Sequence, residues 1–181
     1  MKIIACAVLG LSLLAAACAS SSANDATLGA SASSATATRA EPAALTGTWA
    51  FAIGASDVAA PLRERCKQSS HDATKTEECW SDIQAEAAQE KIRFATDGAG
   101  HTVWTSFAKD GTKESVFVEV PVELASDGPG HVLAKVAGAP KGDRAAEFAK
   151  ASINVMRIEV VDAKTIAMTD PKKGRLVFTK E

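Results

Sequence analysis

The sequence predicts a mainly β domain, an eight-stranded antiparallel up-and-down barrel with helical insertions between strands 1–2 and 5–6. Three observations predict it. Between Leu45 and Glu181, apolar residues alternate with period two in eight separate segments, the pattern of half-buried strands. Most of the connections are short and rich in Asp, Gly and Pro ("DGAG", "KDG", "DGPG", "DA", "DPKKG"), the chemistry of hairpin turns. The two long connections carry helical spacing. Strands joined mainly by hairpins leave no free edge when the sheet closes on itself.

Taken in order, the first strand covers 46–53, with Trp49, Phe51 and Ile53 on one side and Thr48, Ala50 and Ala52 on the other. Residues 54–90 form the first insertion. Val58, Leu62 and Cys66 recur every four residues, and "SDIQ" from Ser81 reads as a capping box opening a second helix. Strands follow at 91–97 (Ile92, Phe94 inward) and 101–108 (Val103, Thr105, Phe107 inward). The clearest strand is 113–124, where Val116, Val118, Val120, Val122 and Leu124 share one face. Pro121 predicts a bulge nearby, because proline has no N–H for the ladder. The fifth strand is 131–136. A helix within 137–154, capped by Asp143, leads to strands at 155–161 (Met156, Ile158), 164–169 and 174–180. Odd-numbered connections of such a barrel share one end, so both insertions belong to the same rim.

The N-terminus has a different texture. "MKIIACAVLGLSLLAAACAS" is one lysine, an apolar run and a cluster of small residues, the pattern of a secretory signal peptide over 1–17. Residues 18–44 are nearly all Ala, Ser and Thr. They lack an apolar face and read as a disordered linker. The domain is 45–181. Of four cysteines, Cys6 leaves with the signal, and in an exported chain Cys66 and Cys79 are expected to form a disulfide.

"LLAAAC" resembles the lipobox of bacterial lipoproteins, which implies that Cys18 becomes the acylated first mature residue. The alternative is ordinary cleavage and release. Ser20, where an inner-membrane protein would be expected to show an aspartate nearby, implies by the same resemblance the outer membrane of a Gram-negative cell envelope. Gly47-Thr48-Trp49 on the first strand resembles the Gly-x-Trp motif of lipocalins and the wider calycin group of ligand-binding barrels. In lipocalins an arginine near the end of the last strand packs over the tryptophan; here that place falls to Lys180, which can make a cation–π contact.

A net charge of −2 gives no field to attract nucleic acid, and aromatic residues, at 5%, offer few stacking platforms. The catalytic motifs of hydrolases and phosphate-binding loops are missing from the sequence, and His71 beside Asp72 reads as a solvated loop. "DGAGH" (Asp97–His101) and "DGPGH" (Asp127–His131) read as two copies of a turn, with a surface metal site as the alternative. No enzyme, metal or cofactor is expected. The leading expectation is a lipid-anchored module holding a small apolar or amphipathic ligand against Phe51, Phe94, Val103, Phe107, Val118, Val120, Met156 and Ile158. The competing one is a filled barrel that engages an envelope protein.

Overall fold

Eight strands close into one antiparallel barrel in chain order, the first pairing with the last. They are β1 (Gly47–Phe51), β2 (Glu90–Thr96), β3 (Thr102–Asp110), β4 (Lys113–Ser126), β5 (His131–Val136), β6 (Val155–Asp162), β7 (Thr165–Asp170) and β8 (Gly174–Lys180). The computed structural model describes residues 42–70 and 72–181. The signal sequence, Cys18, nearly all of the linker and His71 lie outside the described residues. Helices α1 (Ala59–Ser69) and α2 (Ala73–Ala87) fill the first long connection, and α3 (Ala145–Lys150) lies in the fifth. None of the described helices is long and apolar enough to cross a membrane.

Turn chemistry sets the register as expected. Asp97 N donates to His101 O, and Asp97 Oδ1 accepts from the Ala99 and His101 amides, with Gly100 at φ +86°. Asp127 N likewise donates to His131 O across Gly128 and Gly130, both at positive φ. His101 is exposed and His131 half-buried, and each ring bonds within its own turn, His101 Nδ1 to Asp97 and His131 Nδ1 to the Pro129 carbonyl.

That register corrects the phase of the third strand. The Asp97–His101 turn pairs Phe94 with Trp104 and Ile92 with Ser106. Ile92 and Phe94 belong to the interior core, so Trp104 and Ser106 point inward, and Val103, Thr105 and Phe107 take the outer face. Both faces of this strand are partly apolar, and the larger indole gains more from the interior. Phe107 is only 1% exposed even outside, because the Arg93 guanidinium lies over its ring, 4.5 Å from the centroid.

Three smaller expectations change as well. The bulge of β4 lies at Phe117, where pairing shifts from Ser106–Val118 to Phe107–Val116; Pro121 pairs in register. Helix α2 starts at Ala73, ahead of the "SDIQ" segment, capped by Asp72, whose side chain accepts from Thr74 N at 2.8 Å. Ser81 is therefore inside the helix. Arg144 rather than Asp143 holds the N-cap position of α3, without a side-chain cap.

The two ends of the barrel are built differently. At one end a 3-10 turn, Pro42–Leu45, tucks the fully buried Leu45 against Trp49, whose Nε1 donates to the Leu45 carbonyl at 2.8 Å. Lys180 Nζ sits 5.2 Å from the Trp49 ring centroid, as the lipocalin resemblance implies. Gly47 runs beneath it at φ +127°, and a Cβ there would meet Lys180 Cε at 3.1 Å. Trp49, Phe94, Val132, Ile158 and Ile166 are buried in the core of this half. The other end is the mouth, where the α1–α2 and α3 connections emerge together with the β3–β4 and β7–β8 turns.

Candidate functional site

A cavity of about 140 Å³ opens in the mouth. Its inward-facing walls are Phe51, Ile92, Trp104, Met156, Met168, Leu176 and Phe178, with Ile153 from the segment before β6. Phe51 and Phe178 meet across the β1–β8 seam, their rings tilted by 45° with centroids 5.4 Å apart. On the α3 side, Phe148 packs against Trp104 at 5.8 Å. An apolar cavity of about 150 Å³ is known to hold a benzene molecule. The space therefore suits one ring or a short chain rather than a long acyl tail.

The polar side chains of the pocket come from strand alternation. Glu90 is in phase with Ile92, and Asp170 with Met168 and Ile166; Ser106 joins them from β3. Lys91 and Arg157 touch the cavity too, but their strands turn them outward, where Glu181 and Asp127 pair with them. Among the described residues, the charged side chains turned into the pocket are thus two carboxylates.

Those carboxylates differ. Asp170, 8% exposed, is engaged by its own turn, its Oδ1 accepting from the Lys172 and Lys173 amides at 2.8 and 2.9 Å. Glu90 Oε2 is sealed from solvent and has no hydrogen-bond partner. Burial pushes the Glu90 carboxyl up to about 7; Lys173 and then Arg144 oppose that rise, and Glu86 adds to it. Desolvation outweighs two cations here. Burial also lowers Lys173, against the pull of Asp170 and Glu90. Among the described residues, Trp104 Nε1 is the other buried side-chain polar atom without a partner.

The mouth's cover is anchored by specific bonds. Ser56 Oγ donates to Ala52 O at 3.0 Å and accepts from Val177 N at 2.8 Å. Asp57 Oδ2 accepts from Arg175 N at 2.7 Å beside Gly174, where a Cβ would fall 2.5 Å from that oxygen. Cys66 and Cys79 form the expected disulfide, with Cα atoms 5.8 Å apart. It joins the last turns of α1 to the middle of α2, not to the approach of α2. Trp80 next to it is buried in the core cluster, with Arg63 5.3 Å from its ring centroid.

Of the eight interior residues expected from the sequence, Phe51 and Met156 line the cavity. Phe94, Val118, Val120 and Ile158 face inward but belong to the packed core. Val103 and Phe107 are outside, for the reason of register given above. Glu90, Trp104, Ser106 and Asp170 were not foreseen. The signal for Glu90 was present: it precedes Ile92 by two, so strand phase carries an acid inward.

The fold and the pocket define a class, a closed eight-stranded antiparallel barrel with one packed end and one covered, hollow mouth. That architecture is compatible with a lipocalin-like fold. The chain matches no protein-family model, no curated protein and no solved structure.

Proposed function

We propose that this chain is a lipocalin-like lipoprotein, anchored in the outer membrane of a Gram-negative envelope through acylated Cys18, whose barrel mouth holds a small apolar or amphipathic molecule. The apolar pocket carries this reading: aromatic and aliphatic walls, one open side and few polar groups are the usual make-up of a small-molecule site. The Gly47-Thr48-Trp49 motif with Lys180 over the indole supports the family likeness. The linker before residue 45 would hold the domain away from the bilayer by about 30 Å on average.

The test is native mass spectrometry of residues 19–181 exported to an oxidising compartment and purified without detergent. A retained mass, or uptake of one after incubation with an envelope extract, is expected. A bare mass in both cases overturns the carrier reading. Cys18→Ala is expected to move the protein from the membrane to the soluble fraction, and unchanged membrane association overturns the anchor.

A second reading, a structural or protein-binding lipoprotein, is favoured by the solid lower barrel and by Val155 and Val161, which are 51% and 46% exposed. Co-purification of one envelope protein, lost when both valines are changed to serine, would select it.

A further inference from the structure

We infer that the pocket selects a small apolar molecule with a cationic, hydrogen-bond-donating head, a one-ring or short-chain amine, seated with its head on Glu90. The inference rests on the ligand-holding reading above and names the ligand's chemistry. Three observations carry it. The cavity volume of about 140 Å³ limits the apolar body to roughly one ring. The inward charges are acidic, since strand alternation turns Lys91 and Arg157 out to Glu181 and Asp127. Of the two carboxylates, Asp170 is occupied by backbone amides, and Glu90 Oε2 is buried with no donor. A buried acceptor left unmade costs about 1–3 kcal/mol, more if charged, and an occupant bearing a donor removes that cost.

At Glu90 Oε2 that donor is missing. Lys173 on the β7–β8 turn and Arg144 before α3 pull on it, and Glu86 at the end of α2 repels it, yet burial still holds its carboxyl at about 7. An ammonium placed in the pocket would favour the ionised form directly. Amine binding should therefore strengthen as pH rises through about 7, while a neutral ligand should be indifferent.

The experiment is titration calorimetry of residues 19–181 with benzylamine, toluene and benzoate, at pH 5.5 and pH 8. At pH 8 benzylamine is expected to bind at least about tenfold more tightly than either probe, a gap typical of one charge-assisted bond. The gap should narrow at pH 5.5 in the native protein, a measurement that needs no variant. Glu90→Gln should abolish it at pH 8, and an unfolding transition as cooperative as the native protein's shows that the variant is folded. Equal affinity for benzylamine and toluene, or a preference for benzoate, overturns the amine assignment and leaves the carrier reading standing. Failure of all three probes to bind overturns the amine assignment together with a ligand-sized pocket.

Discussion

The two ends of the barrel are made from the same eight strands, yet they obey different rules. At the closed end the indole N–H of Trp49 has its acceptor, the Leu45 carbonyl, and a lysine covers its ring. Trp49, Phe94, Val132, Ile158 and Ile166 are buried there. At the mouth another tryptophan, Trp104, has a buried N–H with no acceptor, and Glu90 has a carboxylate oxygen with no donor. Most buried polar groups in folded proteins are paired, so two orphans beside one cavity mark a place where packing was not the only requirement. The polar groups are paired at the closed end and left unpaired at the open one.

Substitutions can break this contrast at either end. The largest effect is expected from Trp49→Ala, which empties the packed end and removes a hydrogen bond; a loss of about 3–5 kcal/mol is expected in urea unfolding. A loss under about 1 kcal/mol would mean that the closed end is not the anchor. Next is the disulfide. Replacing Cys66 and Cys79 by serine should cost about 3 kcal/mol if the whole domain unfolds as one unit. If the cover of the mouth opens independently, the loss will appear as faster amide exchange confined to α1 and α2, with the barrel amides unchanged.

Glu90→Gln should act in the opposite direction, and only at high pH. The folded carboxyl titrates near 7 and the unfolded one near 4.5, so between those values the native state holds a proton that the unfolded state has lost. Stability therefore falls as pH rises from about 4.5 to about 7 and stays lower above it. The glutamine variant should match the native protein at pH 4 and exceed it at pH 8 by roughly 2 kcal/mol, discounted for partial solvent access. Equal stability at both pH values would remove the burial of this carboxylate. The smallest effect belongs to Lys180→Ala, about 0.5–1 kcal/mol for an exposed cation over an aromatic ring.

Much of the fold was legible in the sequence because each strand and turn is specified locally. Alternation placed all eight strands within a few residues, and the Asp-Gly turns marked the hairpins. Parity alone put the 54–90 and 137–154 insertions at one rim. The third strand failed for a specific reason: Val103, Thr105 and Phe107 look as apolar as Trp104 and Ser106. Only pairing with β2 decides between them, and only Arg93, from that neighbouring strand, explains how Phe107 is buried outside. The pocket was legible in part. Phe51 and Met156 follow from alternation, but the acidic character of the mouth depends on where β2 begins. A strand begun at residue 91 leaves Glu90 in the loop; one residue earlier it is an inward-facing acid. The surrounding Asp170, Lys173 and Arg144 come from the β7 end, the β7–β8 turn and the approach to α3, and no local pattern brings them together.

The most direct measurement is diffraction from crystals equilibrated with xenon, which enters dry apolar cavities without needing a matched head group. A single strong xenon peak among Phe51, Trp104, Met156 and Phe178, with none in the closed half, is the expected result. A mouth without xenon, or a peak beside Trp49 instead, would contradict a barrel that is solid at one end and hollow at the other.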